Sequence, residues 1–403
     1  MDKAKLPGSK VQIQEIQKYI SDQKQLDGWL IYDFHGRNSL GLELLGIDPN
    51  QLLSRRFYYW IPKQGSPLKI VHNIEAQTLK HLPGDQITYE SWQSLDLALA
   101  SAMRGQKRIA MEHSPMGAIP VLSKLDAGLY EWLQGKKIEV VNSWVIAKNF
   151  ICRWNATQLK AHKDAAKFLQ KTFDKSFEKV QKALTSRKKV TECSLQQDIL
   201  DDFETHNFIT EHAPVVAVGQ NSASPHYSPT KEVDTRITKD SLLLIDIWCK
   251  KNNETAPFAD FTQVAYFGKN PPAEMIKVYN TVKAAQDAGI EYVQKSLKQG
   301  KEVLGCDVDD VCRKLIQKHG YAKYFVHRTG HNIHTMLHGL GPNIDNYETH
   351  DTRPLMARTC YSVEPGIYIP EAFGIRLECN IFIHDDLSVE VTGRTPDVLP
   401  CLY

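Results

Sequence analysis

Leu242-Leu243-Leu244-Ile245-Asp246-Ile247-Trp248 reads as a buried β-strand with a carboxylate set inside it. Fourteen residues after Asp246, the stretch Phe258-Ala259-Asp260-Phe261-Thr262 repeats the anomaly. An ionised carboxylate buried without a partner costs several kcal/mol at least, so each must be neutralised, paired or bound to a cation. The polar, turn-like segment 250–257 between them predicts a hairpin with both aspartates on one face.

The same arrangement recurs downstream. Tyr361-Ser362-Val363-Glu364 ends at Pro365-Gly366, which forces a turn. Glu378 follows Glu364 by fourteen residues, in a predicted strand over 374–383. Period-two geometry there puts Arg376, Glu378 and Asn380 on one side. Any one of these acids is most plainly a buried ion pair. Four of them at matched spacing would bring about −4 into one cavity, which is untenable without cations. Two divalent ions offset that charge. Oxygen-rich ligation with one imidazole suits manganese first, with cobalt, iron or zinc as alternatives. A structural zinc would call for a closed tetrahedral set of Cys and His, which this chain does not offer.

Around these strands the chain shows a repeated order. Asn155-Ala156-Thr157-Gln158 predicts the N-cap of a long helix over 156–186. A second helix is expected from about 192, with Ser194 and Gln197 as its capping box, and then strands at 213–218, 242–248 and 259–267. After Pro271-Pro272 come helices over 273–298 and 307–319, then strands near Phe325, at 359–363 and at 374–383. Two helices followed by strands, twice, imply an internal structural repeat without repeated letters. Residues 1–154 form a separate domain on this reading, and 155–403 the domain with the chemistry. In the first, strands at 28–34, 56–62, 69–74, 108–113 and 137–144 alternate with helices over 91–103 and 116–133, an α/β pattern. It carries neither G-x-G-x-x-G nor G-x-x-x-x-G-K.

Composition narrows the function classes. A chain of 403 residues, 42% hydrophobic and 24% charged, is an ordinary globular mixture too long for one core. Its net charge of +2 gives no field that calls for nucleic acid or an anionic membrane. No stretch approaches the roughly 18–20 apolar residues of a membrane span, and residues 1–7 lack the apolar core of a secretory signal. Eight scattered cysteines without a Cys-x-x-Cys pair read as reduced thiols, so a cytoplasmic setting is expected.

Between the two acidic pairs, His327-Arg328-Thr329-Gly330-His331-Asn332-Ile333-His334-Thr335-Met336-Leu337-His338 holds four of the fifteen histidines. It lacks H-E-x-x-H, so it is no helical zincin site. A lone histidine is usually a surface or hydrogen-bonded core residue; four clustered between acidic strands point to ligation or proton transfer. His226, in Ser224-Pro225-His226-Tyr227-Ser228-Pro229, is a further candidate whose plainer reading is a turn residue.

At these residues the chain resembles the metallopeptidases of the pita-bread fold: methionine aminopeptidase, prolidase and Xaa-Pro aminopeptidase. That family presents Asp, Asp, His, Glu, Glu in this order, here Asp246, Asp260, His331 after Gly330, Glu364 before Pro365-Gly366, and Glu378. The resemblance covers about 155–395. It implies an α/β N-terminal domain of creatinase/prolidase type, which methionine aminopeptidases lack, followed by a pseudo-twofold α+β pita-bread catalytic domain. It also implies two bridging ligands, Asp260 and Glu378, with Asp246 on one metal and His331 and Glu364 on the other. A shared hydroxide would be the nucleophile, Glu364 the general base and acid, His226 and His338 the groups that steady the intermediate and relay protons. His327 would hold substrate, and Tyr368 and Arg376 would orient the ligating carboxylates.

The expected activity is removal of an N-terminal residue from peptides with proline second. Proline lacks an N–H and fixes φ, which defeats general peptidases. The resemblance also implies a homodimer or homotetramer. Prolidase, restricted to dipeptides, is the alternative; a catalytically inactive binding protein or a metal-free creatinase-type hydrolase is less compatible with five intact ligands. Three departures bear on substrate choice: Ile247-Trp248 after the first Asp, Gln263 within Thr262-Gln263-Val264, and Gly339 after His338.

Overall fold

The computed structural model describes residues 8–403 except 24, 49 and 394; the segment 1–7, read above as lacking a secretory signal, lies outside them. The chain divides into two compact units between Ile151 and Cys152.

In the first unit a six-stranded sheet is ordered β4-β3-β2-β1-β5-β6. The strands are β1 (Gly28–Asp33), β2 (Phe57–Pro62), β3 (Leu68–His72), β4 (Asp85–Tyr89), β5 (Arg108–Met111) and β6 (Glu139–Asn142), with helices α1 (Lys10–Asp22), α2 (Ser39–Leu45), α3 (Trp92–Ala102), α4 (Ala127–Gly135) and α5 (Trp144–Ala147). Its β1/β2 and β2/β3 pairs are antiparallel and the rest parallel. The core gathers Leu30, Tyr32, Trp60, Ile70, Leu99, Ile109 and Leu133. The helix expected over 116–133 is corrected: two short 3-10 turns occupy Pro115–Gly117 and Pro120–Leu122, and α4 starts at Ala127 behind the cap Asp126. Pro120 supplies no N–H to an α-helix and crowds the preceding turn.

The second unit, Cys152–Tyr403, begins earlier than the break expected after 154. Trp154 explains why: its N–H bonds to Arg358 O at 2.7 Å, and its ring stacks on Phe382 with centroids 5.3 Å apart. Helices α6 (Ala156–Thr185) and α7 (Glu192–Thr205) precede β7 (Phe208–Ile209), β8 (Val215–Val218), β9 (Leu242–Lys251) and β10 (Ala259–Tyr266). Then α8 (Ala273–Lys298) and α9 (Gly305–Lys318) precede β11 (Asn332–Ile333), β12 (Thr359–Val363), β13 (Gly366–Ile369), β14 (Phe373–Arg376), β15 (Cys379–Ile383) and β16 (Val389–Thr392). Each helix pair is thus followed by a four-stranded sheet, one ordered β10-β9-β7 with β8 also on β9, the other β11-β12-β15-β16.

Asn155 and Gln158 form the capping box of α6, but the box of α7 is Thr191 with Ser194, since the chain is still extended at Thr191. No strand forms at Phe325, where a 3-10 turn over Ala322–Tyr324 ends. The strand expected over 374–383 is two strands, because the chain changes partner at Leu377-Glu378: β14 pairs with β13 and β15 with β12. Among the described residues no helix is long and apolar enough to cross a membrane, and no disulfide forms.

Candidate metal centre

Strands β9 and β10 are antiparallel neighbours in which Asp246 faces Thr262 and Trp248 faces Asp260. Directly opposed residues share a face, so Asp246, Trp248, Asp260 and Thr262 all project to one side. Ile245, Ile247, Ala259 and Phe261 project to the other and pack on α6 through Leu169 and Phe173. That alternation buries the apolar residues and aims the acids away from them.

The two sheets join where β10 meets β15. Asp260 N donates to Asn380 Oδ1 at 3.0 Å, Asn380 Nδ2 returns a bond to Asp260 O at 2.8 Å, and Glu378 N donates to Thr262 O at 3.0 Å. Glu364, at the end of β12, donates its N–H to Thr329 O at 2.7 Å and accepts from Ser362 Oγ at 3.1 Å. His331, just before β11, donates its backbone N–H to Ser362 Oγ at 2.9 Å. Ligand atoms of Asp260, His331 and Glu378 lie within 4.8 Å of one another. Asp246, Asp260, His331 and Glu378 are buried, and Glu364 nearly so.

His331 Nδ1 lies 3.2 Å from Asn332 O, a pure acceptor, so Nδ1 carries the proton. Burial, aided by His338, holds the ring well below its usual pKa and hence neutral. Its Nε2 lone pair therefore faces Asp260 Oδ2 at 3.4 Å and Glu364 Oε1 at 3.5 Å. Three acceptors aimed together repel one another unless a cation sits among them.

Thr262 reports the same deficit. Its Oγ1 is 2.8 Å from Asp246 Oδ1 and 2.8 Å from Glu378 Oε2, and accepts from Arg376 Nε at 3.0 Å. One hydroxyl proton serves only one of two carboxylates. Glu378 Oε1 is buried with no hydrogen-bond partner among the described residues. Burial and then Asp246 raise the pKa of Asp260; burial and then Asp260 raise that of Glu378. Burial lifts Glu364 to about 7. The residues fit divalent cations: neutral imidazole, acidic oxygens and an orphaned oxygen are what such ions coordinate.

Arg376 is the one buried guanidinium among these acids. It bonds Asp246 Oδ2 through Nη2, Thr262 through Nε, and Tyr368 OH (3.0 Å) and Pro225 O (3.3 Å) through Nη1. Tyr368 OH in turn lies 2.8 Å from His327 Nε2, whose Nδ1 donates to Arg328 O at 2.7 Å. With that tautomer Tyr368 donates, and His327 stays neutral because burial drops its pKa to about 3. His338 stands at the rim, edge-on to His331 with centroids 4.4 Å apart. His226 is exposed, in the loop that Arg376 holds through Pro225.

The departures separate. Gln263 points away from the site and donates to Gln170 Oε1 at 3.1 Å. Gly339 is required by its neighbour, since a Cβ there would fall 2.3 Å from Asn332 Oδ1. Only Trp248 lies on the acidic face. Sequence reading passed over Thr262 as a site residue, although it alternates with Asp260, and gave no role to Ser362 or Arg328, which no spacing singles out. Arg328 sends its charge to Glu364, His331 and His338 and makes no salt bridge to a described residue.

The model of metallopeptidase family M24 matches residues 160–385. A Mycoplasma pneumoniae protein provisionally named Xaa-Pro aminopeptidase is 33% identical over 184 residues, 45% of this chain and 48% of that protein. The Xaa-Pro dipeptidase of Lactobacillus delbrueckii subsp. lactis is 28% identical over 230 residues, 57% of either chain. These alignments span about half the length of the curated relatives. The crystal structure of recombinant prolidase from Thermococcus sibiricus superimposes with TM-score 0.68 at 23% identity, covering 98% of this chain and 100% of that one. The fold is therefore shared over nearly the whole chain.

Proposed function

Because the chain belongs to metallopeptidase family M24, we propose that it is a divalent-metal aminopeptidase that releases the N-terminal residue of peptides with proline in second position. The observation that carries this reading is the neutral His331 Nε2 aimed at Asp260 and Glu364 beside the unpartnered Oε1 of Glu378. Asp246, Asp260, His331, Glu364 and Glu378 would hold two ions, manganese first, with cobalt, iron or zinc as alternatives. When bound, such ions supply a lowered pKa for water and a polarised peptide carbonyl.

The chain's own groups do the rest. Glu364, whose Oε1 faces His331 Nε2 at 3.5 Å, is the carboxylate suited to take a proton from water and return it to the leaving nitrogen. Arg376 orients Asp246 directly and Glu378 through Thr262. Tyr368 fixes the His327 ring, whose neutral state leaves the substrate's environment uncharged at that point. His338 and His226, at the rim, are placed to hydrogen-bond a developing oxyanion and pass protons outward. Substrate peptides are the partners; a homodimer or homotetramer and a cytoplasmic setting remain part of the proposal.

One observation favours a second reading, prolidase. The Arg328 guanidinium, whose charge acts on Glu364, forms no salt bridge with a described residue and is suited to the C-terminal carboxylate of a dipeptide, while its backbone N–H donates to Glu348. Hydrolysis of Ala-Pro and Ala-Pro-Ala under manganese titration separates the two. Cleavage of both supports the aminopeptidase; cleavage of Ala-Pro alone supports the prolidase; cleavage of neither at any metal level would overturn both.

A further inference from the structure

The two glutamates of the site leave the chain from different strands, yet one side chain holds both departure points. Gln286, on α8, is 1% exposed. Its Nε2 donates to Val363 O at 3.1 Å and to Leu377 O at 2.9 Å. Val363 immediately precedes Glu364, and Leu377 immediately precedes Glu378. Both partners are carbonyls, so the atom facing them must be the amide nitrogen. Thr395 Oγ1 donates to Gln286 Oε1 at 2.6 Å and fixes that orientation from behind.

The other side of each peptide plane is pinned as well. The N–H of Glu364 goes to Thr329 O at 2.7 Å and that of Glu378 to Thr262 O at 3.0 Å. The planes 363–364 and 377–378 are thus held at both C=O and N–H. Their shared anchor is a single carboxamide.

We infer that Gln286 is a positioning residue that sets the distance between the Glu364 and Glu378 carboxylates, and with it the capacity to hold two ions rather than one. The inference rests on the metal reading above. Hydrophobic packing alone does not require this residue: α8 is already seated by Val278, Tyr279, Val282 and Ala285. A buried amide that spends both N–H groups on the residues preceding two candidate ligands has a more specific task. Without it those carbonyls lose their donors, and the two strand ends are free to drift apart.

The test is manganese titration of the metal-free full chain by calorimetry, with the electron-spin signature of a coupled ion pair recorded at saturation. Wild type, Gln286→Met and Val278→Ala are compared, the last as a packing loss on the same helix. Wild type and Val278→Ala should take two ions and give the pair signature. Gln286→Met should keep the first ion, bind the second about 10–100-fold more weakly, and lose the signature. Two ions at wild-type affinity in Gln286→Met would overturn the inference while leaving the metal reading intact. No manganese bound by wild type would overturn both. Should Gln286→Met not fold, Thr395→Val, which frees the carboxamide to turn, should weaken the second ion several-fold, and an unchanged second ion there would overturn the inference.

Discussion

Arg376 and Asp246 sit 130 residues apart in the chain and meet inside the site, a guanidinium N–H on one carboxylate oxygen. The same guanidinium reaches Thr262, Tyr368 and Pro225, so one side chain ties a metal-ligand candidate to the His327 contact and to the loop of His226. Lysine cannot reproduce that fork. Arg376→Lys should lower manganese affinity or kcat/KM by about 10–100-fold with little change in Tm. Wild-type values in both assays would refute its orienting role.

Asp260→Asn removes a proposed bridging ligand and one of the buried charges. Manganese bound per chain should fall, with kcat/KM down at least about 100-fold. The metal-free variant should melt no lower than metal-free wild type, since Asp260 is strained by burial and by Asp246. Full activity with unchanged metal content would show that the ligand assignment is wrong.

His338→Ala leaves the proposed ligands in place. Its metal content should match wild type while kcat drops by about 10²–10⁴-fold, the range for a lost acid–base or oxyanion group. An unaltered kcat would remove His338 from the mechanism.

Trp248→Ala tests substrate choice. The indole is the one departure that shares a face with Asp246 and Asp260, so its loss should widen the space beside them. The ratio of kcat/KM for Phe-Pro-Ala over Ala-Pro-Ala should rise at least about 10-fold. A constant ratio would make Trp248 a packing residue only.

His162 should contribute to acid sensitivity. It is fully buried, donates from Nδ1 to Phe258 O at 2.8 Å and accepts at Nε2 from Thr392 Oγ1 at 2.9 Å. Burial lowers its pKa from 6.5 to about 4. The unfolded chain therefore binds the extra proton first, so this contribution is complete above pH 6.5 and is lost as the pH falls through about 4. It amounts to roughly 3 kcal/mol. Denaturant melts at pH 7 and pH 4 should show a smaller acid loss for His162→Gln than for wild type; equal losses would rule the effect out.

The fold's second half was legible because its anomalies are local. A carboxylate inside an apolar strand, as at Asp246 and Asp260, announces itself, and the register Asp246–Thr262 follows from the hairpin between them. The switch of partners at Leu377-Glu378 was not legible, because alternation continues unbroken through 374–383 while tertiary bonds to Thr262 decide where the strand ends. In the first unit, α1 carries Ile13, Ile16 and Ile20 at helical spacing behind Ser9, a signal that was present and unread. Strand β4 gave none, being a mostly exposed edge. Gln286 acts on the backbone of Val363 and Leu377, Ser362 on that of His331, and Thr395 on the Gln286 side chain, partners far away in sequence that no single-chain pattern encodes.

The reciprocal amide bonds between Asp260 and Asn380 stitch one sheet to the other. On the proposed ligand set neither sheet suffices alone: the aspartates lie on β9 and β10 of one, and the glutamates and histidine flank strands β12, β15 and β11 of the other. Ion capture would thus need both sheets, since Asp246 and Asp260 lack the histidine and the glutamates until the second sheet has formed. On that reading metal uptake by this chain would report on the closure of that seam, and a fragment ending before β12, which lacks both glutamates, would bind manganese poorly however well its own helices and strands had formed.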